Sequence, residues 1–208
     1  MNSQNIASPE DQSATLHFGE RHGLFVIIAL GETLIVAAGG VTGAPWTGGL
    51  IAVAVLAVGI TCSLWWSYFT RAKPALDRAL ATSHGAEQST MARDVFSLIH
   101  FPMLCGVIAY AVAIGEAVAH SGEPLPLVGR VALAAGLMLF VGGMAVAVWR
   151  ATRRLLLPRL ILTAATAITV VAVAGVTPLL TLAIALAGIV AIAALEQRAG
   201  GSPVVVSV

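Results

Sequence analysis

The chain has 208 residues, 58% of them hydrophobic and 10% charged, with a formal net charge of +1. Soluble domains carry about a quarter of their residues as Asp, Glu, Lys or Arg. The composition therefore excludes an ordinary soluble domain and describes an all-α polytopic membrane protein, with nothing in its charge to suggest a nucleic-acid partner.

Residues 1–16 are polar, with Glu10 and Asp11, and read as a disordered lead. They lack the basic start and apolar centre of a cleaved signal peptide, so the first span is expected to direct insertion. Residues 17–197 form the membrane domain, with six predicted spans. Span 1 covers about 22–41 and is followed by a Gly/Pro turn with Trp46 as an interfacial anchor. Span 2 covers about 49–69 and closes on the aromatic belt Trp65-Trp66-Ser67-Tyr68-Phe69, then Arg71 and Lys73. A polar loop over roughly 71–93 is long enough for a short surface helix. Span 3 covers about 95–117 and contains Pro102; span 4 covers about 125–149; span 5 covers about 159–176; the Thr177-Pro178 break leads to span 6, about 179–195. Span 6 holds nothing ionisable before Glu196 and is expected to face lipid. Residues 198–208 read as a flexible tail. Cys62 and Cys105 both fall inside apolar spans and read as small buried hydrophobes rather than a disulfide or a metal site.

Charge sorts the six spans. Arg21, Arg71, Lys73, Arg78, Arg93, Arg150, Arg153, Arg154, Arg159 and Arg198 fall on one side, and only Arg130 on the other. The positive-inside rule then predicts N-in/C-in topology, with both termini in the cytoplasm.

Ionisable groups inside the spans are the candidate site. Glu32 stands about ten apolar or small residues into span 1, ~15 Å from its start, near the middle of a ~30 Å hydrocarbon core. A carboxylate there is costly and marks function by default. Arg21 lies eleven residues earlier, within ~20° of the same helix face but ~16 Å away along the axis, too far to pair. Glu32 therefore needs a partner on another helix or a proton of its own. It either ties two helices together as a protonated carboxyl or binds a proton or cation in a path. His100, two residues before Pro102, either satisfies backbone that the proline disturbs or relays protons with Glu32. Glu116 and Arg130 flank one short turn, so an ion pair between them, or an outer vestibule charge, is expected. Thr163, Thr166 and Thr169 either bond their own helix or line a polar groove. Gly31-Glu32 and Gly115-Glu116 each close an apolar run, as a faint inverted echo or by chance. No phosphate-binding Gly loop, His-Glu-x-x-His or Gly-x-Ser-x-Gly motif occurs, and the loops are too short for a nucleotide-binding domain, so no cofactor is expected.

The stretch His17-Phe-Gly-Glu20-Arg21-His22-Gly-Leu-Phe-Val-Ile-Ile-Ala-Leu-Gly-Glu32 resembles the hallmark segment of the bacterial low temperature requirement A family, and Leu64-Trp65-Trp66-Ser67-Tyr68-Phe69 resembles its second hallmark. The resemblance implies an all-helical inner-membrane protein linked to growth in the cold. It also implies relatives about twice this length, with this chain matching their C-terminal half: either a half-length member that pairs with itself or with a second chain, or a truncated gene product. Thr70 stands where an acidic residue usually follows the aromatic hallmark. By carry-over, Glu20, Arg21 and Glu32 are the positions to test.

The leading expectation is a transporter or channel-like protein for a small solute or ion, proton-coupled, rather than an enzyme. Glu32 is its central site, Glu20 and Arg21 stand at the cytoplasmic mouth, and His100 assists. A homodimer through the small-residue faces of spans 1 and 4 is expected. Two alternatives stand beside it: a structural or regulatory membrane protein without transport, and an intramembrane lipid-modifying enzyme with Glu32 and His100 as acid and base.

Overall fold

A computed structural model describes residues 9–42, 45–83, 85–153 and 156–200. Among them every regular element is helical: α1 (Pro9–Val41), α2 (Gly48–Ser67), α3 (Lys73–Thr82), α4 (Gly85–Met91), α5 (His100–Ala119), α6 (Leu127–Leu137), α7 (Gly143–Thr152), α8 (Leu157–Ala172) and α9 (Pro178–Gly200). Three π segments continue these helices: π1 (Tyr68–Ala72), π2 (Ala92–Leu98) and π3 (Met138–Gly142).

Five stretches are long and apolar enough to cross a membrane: Glu20–Val41, Gly48–Thr82, Gly85–Ala119, Leu127–Thr152 and Pro178–Gln197. The remaining expected span, the fifth in chain order, corresponds to α8, a shorter apolar helix. Its 16 residues rise ~24 Å, against a hydrocarbon core of ~30 Å.

Local chemistry explains the helix ends. Thr47 caps α2 by accepting the Leu50 amide proton at 3.1 Å. Pro158 sits in the first turn of α8, where the missing N–H leaves no helical bond unmade, whereas Pro74 follows π1 inside a continuous helical stretch. Because π2 ends just before His100, Pro102 also falls in the first turn of α5, the position at which a helix tolerates it. The α1 helix begins at Pro9, inside the stretch expected to be disordered; residues 1–8 and 201–208 lie outside the described residues. The expected loop over 71–93 is instead largely helical. Leu76, Leu80 and Met91 of α3 and α4 are buried, and Lys73–Asp77 (2.5 Å) and Arg150–Asp94 (3.0 Å) ion pairs brace the region.

The α5 helix is the centre of the bundle, flanked by α1 on one side and by α6 with π3 on the other. Where α5 crosses α6 the backbones nearly touch. A methyl group on Gly106 would meet the Gly136 carbonyl and the Phe140 amide at 2.9 Å, and one on Gly136 would meet the Gly106 carbonyl and the Tyr110 amide at 2.9 Å. Gly143 likewise faces Met103. Gly136 and Gly143 of the fourth span are thus in contact within the chain, whereas a methyl group on Gly142 would meet nothing within 4 Å. The α1 helix buries only the stripe Gly23, Val26, Leu30, Thr33 and Ala37, at alternating steps of three and four. It is the least covered of the five long stretches. The α9 helix does not simply face lipid: Thr181, Leu182, Ala185, Ile189 and Ile192 pack inward, against α2 and α8. Cys62 is exposed and Cys105 half-buried, so the expectation of two buried thiols fails for Cys62.

Candidate functional site

Glu32 projects from the outer side of α1. Arg21, Phe25, Ile28 and Glu32 share one face, as the helical spacing requires, and that face is exposed. Thr33, the next residue, turns inward. Beside Glu32 a groove of 300 Å³ between α1 and α5 is walled by Ala29, Val36, Val107, Ile108, Ala111, Val112 and the hydrocarbon part of Glu32 itself. Among the described residues no hydrogen bond or ion pair reaches its carboxyl. Of the two expectations for Glu32, a partner on another helix is thus not met among the described residues.

The hydroxyl groups nearest in sequence or register to Glu32 are engaged elsewhere. Thr33 Oγ1 donates to the Leu30 carbonyl (2.6 Å) and lies 3.1 Å from Thr61 Oγ1. Thr61 Oγ1 lies 3.0 Å from Tyr110 Oη, and Thr61 and Tyr110 both donate to the Ala57 carbonyl (3.1 and 2.8 Å). This network ties α1, α2 and α5 together at mid-depth and closes on backbone oxygens.

His100 lies at another level. Its Nδ1 is 2.8 Å from the Val95 carbonyl, and its Nε2 is 2.9 Å from Tyr68 Oη. A carbonyl only accepts, so Nδ1 carries the proton; in the neutral ring Nε2 then accepts from the tyrosine hydroxyl. The first of the two sequence readings of His100 is the one realised, since the ring satisfies disturbed backbone, though at Val95 inside π2. The His100 ring packs at 5.6 Å against both Phe96 and His22, whereas Glu32 is ten residues further along α1 than His22, ~15 Å of helix. The Glu32–His100 relay, and with it the acid–base pair of the enzymatic alternative, is not assembled. Tyr68, expected at the membrane surface with the belt, is fully buried, and Phe140 of π3 packs on it at 6.4 Å; Trp65 and Trp66 of the belt are exposed. All three π segments thus contribute a side chain around one imidazole–phenol pair, an arrangement that leaves no mark in the hydropathy of the sequence.

Glu116 and Arg130 do not pair. Glu116 Oε1 meets His120 Nδ1 at 3.2 Å, while Arg130 donates to the Val171 and Val173 carbonyls, the latter at 3.1 Å. The end of α8 leaves carbonyls without helical partners, and a guanidinium there is favoured by both hydrogen bonding and the helix dipole. Glu20 and Arg21 are exposed at the start of the first apolar stretch. Thr163, Thr166 and Thr169 each donate to the carbonyl four residues earlier, so they bond their own helix.

Sequence reasoning missed Arg159 as an interior residue. Counted as a loop cation, it is only 3% exposed. It donates to Ser67 Oγ and holds Glu196 at 3.1 Å, stapling α8 and α9 to the end of α2. The one available signal was Glu196, an acid near the end of an apolar span. Among the described residues no three His, Cys, Asp or Glu side chains converge as a metal site would require.

Apolar helices long enough to span, with tight glycine crossings and a partnerless carboxylate midway along the first apolar stretch, define a helical membrane protein. The chain belongs to the bacterial low temperature requirement A protein (LtrA) family, whose model matches residues 8–194. It is similar to "Uncharacterized protein RA0937" of Rhizobium meliloti (strain 1021), with 34% identity over 111 residues, 50% of this chain and 25% of that protein. The matched stretch thus spans about a quarter of that relative's length. No solved structure matches the chain.

Proposed function

We propose that this LtrA-family protein is a six-span, N-in/C-in protein of the bacterial inner membrane that moves protons, or a small solute or ion coupled to them, with Glu32 as the protonatable site. The observation that carries this reading is the Glu32 carboxyl itself: midway along the first apolar stretch, exposed, and with no partner among the described residues. A carboxyl used only to tie helices together would have its partner in place. One that exchanges protons or cations is left open to exchange. Glu20 and Arg21 are assigned to the cytoplasmic mouth. His100, Glu116 and Arg130 are occupied by Tyr68, His120 and the α8 carbonyls, and the reading gives them no transport step.

The sixth crossing is supported by the two ends of α8. Arg159 near its start bonds Ser67 at the end of α2, and the carbonyls at its end bond Arg130 at the start of α6. With the cation asymmetry, those two levels are the inner and outer surfaces. A short span of this kind is accommodated by local bilayer thinning. The homodimer is retained through α1, where Gly31 and Gly39 have open space around the missing side chain.

The test is proton flux into proteoliposomes, native chain against Glu32→Gln. The substitution keeps size and hydrogen bonding and removes titration. Flux that Glu32→Gln abolishes is the expected result; equal flux in both, or none in either with equal thermal stability, overturns the reading. The second reading, a structural or regulatory membrane protein supporting growth in the cold, is favoured by the closed Thr33–Thr61–Tyr110 network, which offers no continuous polar path. It predicts that Glu32→Gln is functionally silent.

A further inference from the structure

We propose that the groove between α8 and α9 seats one acyl chain of an anionic phospholipid, whose phosphate lies at the end of the groove against Arg71. The site is separate from Glu32 and does not depend on transport.

The walls decide what enters the groove. It holds 300 Å³ between Leu156, Pro158, Ile192 and Leu195, and the Arg159–Glu196 pair completes its lining. The two charged groups of that pair are turned to each other, 3.1 Å apart, and Arg159 is only 3% exposed. They give the groove their hydrocarbon stems and no free charge. A polar solute would lose its water there with nothing to bond, whereas a hydrocarbon chain asks only for apolar walls. Leu157 and Leu195 are exposed on the outside of the bundle, so a chain enters from the surrounding lipid.

Charge decides what that chain is attached to. Arg159 donates to Ser67 Oγ, which brings the charged end of the groove to the end of α2. Arg71 stands four residues beyond Ser67, about one turn and ~6 Å further toward the cation-rich side. It is exposed, and among the described residues it has no hydrogen bond or ion pair. Its charge is near enough to act on Arg159. Glu196 is already held by Arg159, and on the same side Asp77 and Asp94 hold Lys73 and Arg150. Two guanidiniums thus share one carboxylate, and one positive charge is left over. Arg153, exposed and likewise unpartnered among the described residues, lies three residues before Leu156. The first turn of α8 has no side-chain cap, so the positive end of its dipole adds to the same field. A phosphate answers this surplus. A zwitterionic head group brings a cation with it, and free phosphate has no use for the groove. An amphiphile with a net negative head group meets both demands. Trp65 and Trp66, both exposed within two turns of Arg71, mark the level at which head groups meet hydrocarbon.

The test is native mass spectrometry of the full chain, released from detergent micelles that hold equal amounts of phosphatidylglycerol and phosphatidylcholine with the same acyl chains. Phosphatidylglycerol should be retained in preference. The preference should fall about fivefold in Arg71→Gln and persist in Arg71→Lys. Arg78→Gln, which removes a cation of the same side from α3, should leave it unchanged. Leu195→Asn, which puts an amide into the wall and keeps every cation, should weaken retention; the thermal stability of each variant is measured alongside. Equal retention of the two lipids, a preference that survives Arg71→Gln, or equal losses in Arg71→Gln and Arg78→Gln overturns the proposal. So does retention indifferent to Leu195→Asn, which would put the lipid outside the groove. Displacement of the lipid by excess inorganic phosphate overturns it too, since the ligand would then be a free anion. None of these outcomes involves Glu32, so the proton flux and its loss in Glu32→Gln are judged separately.

Discussion

Arg159 shows how the interior manages charge. Its guanidinium is enclosed by Ser67, Met144 and Glu196, with Nη1 and the Glu196 carboxyl 3.1 Å apart. Removing one partner of such a pair strands the other in an apolar setting, whereas removing both and filling the space is often close to neutral. Arg159→Leu alone should therefore destabilise by about 3–5 kcal/mol, and the double change with Glu196→Leu should recover most of the loss. Thermal unfolding of the three proteins in one detergent checks both statements. If the single and double changes cost the same, the pair is not what staples α8 and α9 to α2. Sequence reading placed Arg159 in a connection because a cation at a span end usually snorkels to water. A buried acid one helix later is a weak counter-signal. Glu116 and Arg130 teach the same lesson: nearness along the chain suggested a pair, and the carbonyls ending α8 took the guanidinium instead.

At the scale of elements, the helices were largely readable and their faces were not. Span limits from hydropathy fall within a few residues of α2, of α6 through α7, and of the transmembrane part of α5. In a soluble protein a polar stripe shows which side of a helix faces out. Here both sides of α1 are apolar, since lipid and protein interior are chemically alike, so nothing in the sequence told that Glu32 lies on the outer side. The π segments were equally silent, because an extra residue per turn leaves the composition unchanged; only Pro102 hinted at disturbance near π2. The glycines were visible but not their partners. Gly106 and Gly136 let α5 and α6 touch backbone to backbone. A methyl group at 2.9 Å from backbone atoms cannot be absorbed by a rotamer change. Gly106→Ala should thus cost about 1–3 kcal/mol by forcing the helices apart. Gly31→Ala, with nothing within 4 Å of the added carbon, should be neutral or slightly stabilising in a monomer. Melting temperatures of the two variants, compared side by side, separate crossing glycines from open ones; equal shifts would contradict this assignment of the crossing.

For the whole molecule, the separation of roles is the main result. Interior polar groups are paired and hold the bundle together: Tyr68 with His100, Thr33 with Thr61 and Tyr110, Arg159 with Glu196. Glu32 is on the exposed face of α1, apart from these groups, and carries the proposed exchange. Transport in this account therefore runs along the outer side of α1 rather than through the middle of the bundle. The carboxyl was legible in the sequence as a charge in an apolar run; the groove was not, because it depends on how α5 leans on α1. The most direct test is infrared difference spectroscopy of the native chain in lipid bilayers across a pH titration. A protonated carboxyl band that grows on acidification and is absent in Glu32→Gln is the result the account predicts. A carboxyl spectrum that titrates identically in the native chain and in Glu32→Gln would contradict it, since Glu32 would then exchange no proton within the membrane.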